Sequence, residues 1–305
     1  MANEAVLPEH ATPVETGAKT ARTWTGSLAI LGAALLWSSA GLLIKYIPWH
    51  PMAIAAGRSL LTSIVFVLYF RRKAFCRPNL VTWLAGFALM LTQLGFIMAN
   101  KLTTAANAIM LQYTMPVFII IMGAVFFKIK PKRREIIALI WALAGIVLFF
   151  LDSLQPGQML GNLLAVATGL TFAGVFVLNN RPTCQIPTAL LIGQAGTFLT
   201  GLPWLATVNR TDFTYQPLFA VVLLGIFQLG LSYILFQYGI RRTLPLHASL
   251  LSMVEPIMNP VWVFLLLGEQ PGFAAILGAV VVISAILFLN LGQINPSAVR
   301  RARSS

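Results

Sequence analysis

The chain has 305 residues, 58% of them hydrophobic and 10% charged, with a net charge of +13 and a mean hydropathy of +0.83. That composition leaves little room for a soluble domain, and in so apolar a chain a basic excess points to membrane topology before nucleic acid. The two cysteines, Cys76 and Cys184, fall in loops that come out on the reducing side, so neither a disulfide nor a metal site is expected.

Residues 1–24 are polar with both signs of charge and lack the basic start and small-residue cleavage site of a secretory signal, so they read as a cytoplasmic tail. Apolar stretches follow at 25–46, 52–70, 80–99, 103–126 and 133–151, then at 158–179, 187–206, 215–239, 245–267 and 272–291. A helix of ~20 apolar residues at 1.5 Å per residue matches the ~30 Å hydrocarbon core. The expected fold is an all-α polytopic membrane protein with ten transmembrane helices. Its parts are a first five-helix repeat at 25–151, an external linker at 152–157, a second repeat at 158–292 and a basic cytoplasmic tail at 293–305. With the N-terminus inside, 17 of the 21 basic residues fall on the inner side, among them Arg71, Arg72, Lys73, Lys128, Lys130, Lys132, Arg241 and Arg242. The positive-inside rule then places both termini in the cytoplasm, and a plasma membrane, as in a prokaryotic inner membrane, is the expected location.

An internal repeat accompanies this pattern. A shift of 140 residues superposes Thr103 on Thr243, Ala108 on Ala248, Leu111 on Leu251 and Pro116 on Pro256, and also Pro131 on Pro271. A shift of 133 pairs Ala40 with Ala173 and Gly41 with Gly174. Five spans is an odd number, so the second half enters the membrane in the opposite sense, and the repeat is inverted.

The segments LLWSSAGLLIKY in the first span, AAGRSLL in the second, LQYTMPVF in the fourth and ASLLSMVEPIMNPVWVFLLLGE in the ninth resemble the EamA-type transporters of the drug/metabolite transporter superfamily. The resemblance covers nearly the whole membrane domain. It implies ten helices around a central cavity, alternating access, and movement of small metabolites with export favoured. Its most specific part is Glu255-Pro256 followed by Gly268-Glu269; the first half departs from the pattern, with Phe127-Lys128-Ile129 where members often end in Gly-Glu.

Within the spans, Glu255 is the acid nearest a span centre, where a charged carboxyl costs ~2.5–3.5 kcal/mol. A carboxyl that is neutral in a closed cavity and ionised in a wet one can couple a proton to transport, whereas a permanently protonated one serves as hydrogen-bonding glue. Arg58 is the deep basic residue and needs a partner: Glu255, an anionic or zwitterionic substrate, backbone carbonyls, or the outer interface by snorkelling. Pro116, Pro256 and Pro260 are expected to kink spans four and nine, freeing the carbonyls of Gln112, Ser252 and Pro256. Asn107, Gln112 and Tyr113 in span four, Ser252 and Asn259 in span nine, Gln93 in span three, and Tyr233 beside Gln228 in span eight are candidate cavity residues. Trp37 lies deeper than an interfacial belt and is a candidate wall or gate. Gly161, Ala165, Gly169 and Ala173 form a small-residue seam in span six.

No zinc-protease motif, metal-ligand cluster or phosphate loop is present, which argues against an enzyme and against any cofactor. The expected partners are a small-molecule substrate such as an amino acid or a drug-like amphipathic compound, the lipid bilayer and a coupling proton, with no nucleic acid. A non-transporting accessory protein and a channel are the alternatives.

Overall fold

The computed structural model describes residues 13–45, 47–103, 105–149, 159–267 and 272–291, and the regular structure among them is helical. The helices are α1 (Pro13–Trp37), α2 (Ala40–Lys45), α3 (Pro51–Phe70), α4 (Leu80–Leu102), α5 (Ala105–Gln112), α6 (Met115–Phe127) and α7 (Arg133–Phe149). The second half holds α8 (Met159–Asn180), α9 (Ile186–Leu205), α10 (Tyr215–Leu223), α11 (Ser232–Ile240), α12 (Pro245–Ser252), α13 (Val254–Leu267) and α14 (Phe273–Leu291). A 3₁₀ turn at Arg71–Phe75 follows α3, and a π-helical segment, Leu224–Leu231, joins α10 to α11.

Four helical stretches are long and apolar enough to cross a membrane: Pro51–Phe75, Leu80–Ala99, Met159–Asn180 and Tyr215–Ile240. Leu68, Val125, Ile140, Leu163 and Val280 are exposed on the outer surface, and an exterior so rich in large aliphatic side chains meets hydrocarbon, not water. The chain is a membrane protein.

The structure interrupts three of the spans, two of them, the fourth and ninth, being those in which the sequence places kinking prolines. The fourth is broken at Tyr113 and Thr114 and the ninth at Met253, each a few residues before its proline. The prolines then fall in the first turn of the next helix, where a missing N–H costs that helix no bond, while the carbonyls of Gln112 and Ser252, at the ends of the preceding helices, receive no N–H from them. The first span breaks at Ser38 and Ser39 with no proline nearby. There the two hydroxyls donate to the carbonyls of Leu35 and Leu36 at 2.6 and 2.7 Å, which competes with helix propagation. Residues 13–24, read as tail from sequence, are helical, because proline is tolerated at a helix start and Glu15, Ala18, Lys19 and Ala21 are good helix formers.

Two ends can be distinguished by their contacts. At one, Arg241 donates to the carbonyl of Arg181 at 2.8 Å, Asn180 to that of Thr243 at 3.1 Å and Asn79 to that of Thr183 at 2.7 Å. Thr188 holds the Lys73 carbonyl at 3.1 Å, Arg181 covers the ring of Phe127, and His247 pairs with Glu135 at 3.4 Å. At the other, the indole of Trp49 donates to the Asp212 carbonyl at 3.1 Å, His50 stacks on Trp204, and Thr103 bonds Asn162 at 2.8 Å. Arg71, Arg72, Lys73, Arg181, Arg241 and Arg242 thus gather at one end. Lys128 closes α6 in the left-handed region with φ 54°, a conformation that favours glycine.

The small-residue seam of α8 packs as its spacing predicts. A Cβ on Gly161 would lie 2.6 Å from the carbonyl carbon of Leu102, and one on Gly169 would lie 3.0 Å from the carbonyl oxygen of Gln112. Ala165 and Ala173 between them are fully buried. The seam therefore seats α8 against the end of α4 and against the break between α5 and α6.

Gly161→Val is expected to lower stability by ~1–3 kcal/mol, the usual range for overpacking. Gly123→Ala, whose added Cβ would have its nearest neighbours at 4.0 Å, should leave the thermal midpoint in detergent unchanged or slightly raised. The cysteines offer a second check. Burial pushes the Cys184 thiol up to about 11 against the opposing field of Arg241, while Cys76 is exposed. At pH 8 only ~10⁻³ of Cys184 is thiolate, so a maleimide should label Cys76 promptly and Cys184 only on unfolding.

Candidate functional site

The break in the fourth span presents Tyr113 toward the ninth. Its hydroxyl lies 2.8 Å from Glu255 Oε2 and 3.1 Å from the carbonyl oxygen of Ser252. That carbonyl is the one left without its helical partner by Pro256, so the phenol of the first half satisfies the backbone defect of the second. A phenol carries one proton and can donate to only one of the two acceptors at a time. An ionised Glu255 takes that donation. A protonated Glu255 instead donates to the Tyr113 oxygen and releases the phenol proton to Ser252. The carboxyl state and the hydrogen bonding of the α12–α13 break are thereby linked.

The Gln112 carbonyl, freed in the same way by Pro116, faces Gly169 across the seam. Gln112 itself is buried. Ser252 is fully buried, and its hydroxyl is held by the Ala248 carbonyl at 2.9 Å, so it meets Tyr113 through its backbone.

Trp37 ends α1 at the first-span break and is 4% exposed. Tyr233 lies edge-on to it at 5.2 Å, with Phe236 and Phe172 at 5.8 and 6.1 Å. Gln228, on the π-helical segment, donates to the Trp37 carbonyl at 3.4 Å, and Trp262 of α13 donates to Ser38 beside it at 2.7 Å. The end of α1 is thus clamped by the second half.

Arg58 is 7% exposed and does not snorkel outward. Its placement follows from Gly225: a Cβ there would lie 2.9 Å from the Arg58 carbonyl, so α3 and the π-helical segment touch backbone to backbone. Thr62 ties them, donating toward the carbonyls of Arg58 and Gly225, both at 2.8 Å. Tyr233 lies within electrostatic reach of both Arg58 and Glu255.

Several buried polar atoms here have no hydrogen-bond partner among the described residues: Trp37 Nε1, Arg58 Nε and Gln228 Oε1. Each such group costs ~1–3 kcal/mol when left unpaired, a penalty that a bound polar molecule or water would relieve. Gln93 is also buried with both amide atoms unpaired, and no hydrogen bond ties it to the Trp37 group. The side chains of Asn107, Asn259 and Pro260, and all of Gly268 and Glu269, lie outside the described residues.

Sequence reading missed three features. Gln194 on α9 is fully buried with both amide atoms unpaired; as a lone amide in the apolar run TALLIGQAGTFL it could have been flagged. Trp262 and the π-helical segment were also passed over, and the latter has no local sequence signature beyond its glycines.

A family model, the EamA-like transporter family, matches the chain twice, at residues 24–151 and 159–291. The chain belongs to the EamA-like transporter family. It is similar to two uncharacterized transporters of Archaeoglobus fulgidus. One is 23% identical, with 85% of this chain and 95% of the relative covered; the other is 22% identical, with 86% and 95% covered. It is also similar to the uncharacterized inner membrane transporter YicL of Salmonella typhimurium, at 26% identity over 93% of this chain and 99% of that protein. A solved protein crystal structure superposes with a TM-score of 0.75 at 19% identity, over 90% of this chain and 98% of that one, and so shares the fold. In family terms, the Tyr113–Glu255 bond joins the two matched segments.

Tyr113→Phe should destabilise the protein by ~1–3 kcal/mol through the acceptors it strands, and it should be non-additive with Glu255→Gln. A double-mutant cycle of unfolding in detergent measures this; strict additivity would remove the bond from the account.

Proposed function

We propose that the protein is a secondary active transporter that exports a small metabolite, an amino acid or a drug-like amphipathic compound, by alternating access. In this reading ten transmembrane helices form two inverted five-helix repeats, with both termini in the cytoplasm of a plasma membrane. The gathering of Arg71, Arg72, Lys73, Arg181, Arg241 and Arg242 at one end supports the orientation, since basic loops stay inside. The two matches to the family model, joined by a break in each half, support the repeat.

The observation that carries the proposal is a pair of side chains of opposite ionisable type, Arg58 and Glu255, inside an apolar bundle. Arg58 is buried, Glu255 is held by Tyr113 at 2.8 Å, and among the described residues no salt bridge joins the two. Buried ionisable groups in a membrane bundle mark substrate and ion pathways. A substrate with an anionic end is held by the Arg58 guanidinium, and the aromatic faces of Trp37 and Tyr233 take its apolar part. Glu255 carries the coupling proton, with Tyr113 reporting its state to the break at Met253. Breaks in paired helices supply hinges and free carbonyls in transporters of the inverted-repeat type.

Small-molecule profiling of cells and medium, comparing wild type, Glu255→Gln and empty vector, finds the substrate. Reconstituted vesicles then separate coupling from binding. With wild type, a pH gradient should drive accumulation; with Glu255→Gln accumulation should fall to the protein-free level while counterflow down a substrate gradient persists. Non-saturating conductance would replace the carrier by a channel, and no movement of any compound would leave an accessory role.

A further inference from the structure

The end of α3, which the transport reading uses only to orient the chain, carries a second feature. A cavity of about 710 Å³ opens there, lined by Tyr69, Phe70, Arg71, Arg72, Lys73 and Gln237. Its size falls in the ~300–1,000 Å³ range of small-molecule sites. Three of the six lining residues are cations and none is an acid. All three cations are exposed, and among the described residues none forms a salt bridge.

The cations are held in place by their backbone. Arg71 adopts φ 50° and ψ −127° while its N–H caps the Val67 carbonyl, a conformation that only glycine adopts without strain. The turn that follows is pinned from α9 by Thr188, which donates to the Lys73 carbonyl at 3.1 Å, and by Ala74, which is 1% exposed. Three consecutive positive side chains are thus folded into one short turn instead of being spread along a helix. Phe70 is buried at this level, while Tyr69 of α3 and Tyr238 of α11 are exposed on the outer face. Exposed aromatic rings beside basic residues at a span end mark the depth of lipid headgroups.

We propose that this cavity binds a phosphate-bearing anion at the depth of the bilayer headgroups, with Arg71, Arg72 and Lys73 as its ligands. Guanidinium groups grip phosphate oxygens through paired hydrogen bonds, and the Gln237 amide adds a further donor. Basic pockets between transmembrane helices hold anionic headgroups by the same chemistry. The site does not depend on what the bundle transports.

The test uses purified full-length protein with three probes: phosphatidylglycerol, phosphatidylcholine and inorganic phosphate. Native mass spectrometry reads retained lipid, and thermal unfolding reads stabilisation. Arg71→Gly removes a cation and relieves the backbone, so its own thermal midpoint should hold or rise. Arg72→Ala with Lys73→Ala gives a second variant that leaves the turn's entry unchanged. Wild type should retain phosphatidylglycerol over phosphatidylcholine, and the preference should fall about fivefold per cation removed, the equivalent of ~1 kcal/mol each. That result assigns the site to lipid. Stabilisation of wild type by inorganic phosphate, lost in the variants and without any lipid preference, assigns it to a soluble phosphate compound. Equal retention of phosphatidylglycerol by wild type and both variants, with no response to phosphate, overturns the proposal.

Discussion

A helix that crosses hydrocarbon has no water to satisfy a broken backbone bond, and that constraint organises the centre of this protein. Pro256 removes the N–H that Ser252 would use, and the vacancy is filled by a phenol from the other half of the chain. The same phenol reaches Glu255, so one side chain meets two needs of the ninth span: an orphaned carbonyl and a carboxyl in an apolar surround. Because both needs fall on one proton, they compete. A defect that in water would be hydrated becomes a contact whose geometry depends on whether Glu255 is charged.

Close backbone approach accounts for much of what surrounds this contact. Gly161 and Gly169 let α8 press against the end of α4 and the break of the fourth span, while Gly225 lets the π-helical segment press against α3. In a bilayer such packing replaces the hydrophobic drive that assembles soluble cores. The Gly225 contact also involves a basic residue. It brings the Arg58 backbone against the π-helical segment, with the Thr62 hydroxyl 2.8 Å from each of the two carbonyls, and the guanidinium is buried in the bundle.

Much of this was legible in the sequence, and the reasons are specific. Apolar stretches and basic loops set the membrane class, because length and hydropathy act directly on the solvent. Glu255 and Arg58 stood out because charge is rare where water is absent. Pro116 and Pro256 announced irregular helices, and the carbonyl they predicted to be free at Ser252 is the one that Tyr113 takes. What the sequence hid depends on three-dimensional neighbours. The break at Ser38 and Ser39 follows from two hydroxyls outcompeting the helix, which such residues do in only some contexts. Trp262 meets Ser38 across 224 residues, a separation that no local pattern encodes. The π-helical segment at Leu224–Leu231 is set by its fit against α3, and its sequence, LGIFQLGL, reads as ordinary helix. Residues 13–24 misled in the other direction, since polar composition says where a segment sits and not whether it is helical.

Charge in this chain is divided between two environments, and the division separates two kinds of work. At the end carrying Arg71, Arg72, Lys73, Arg241 and Arg242, the cations are exposed or half-exposed, where each is individually weak and acts in number. Inside the bundle, Arg58 and Glu255 are few, but the low dielectric magnifies what each does to its neighbours. On the proposed reading, the Trp37–Tyr233 region would present a substrate with a field set by Arg58, Glu255 and the phenol on Glu255. Among the described residues few other ionisable groups lie inside the bundle, so little would screen a change in the charge of Glu255.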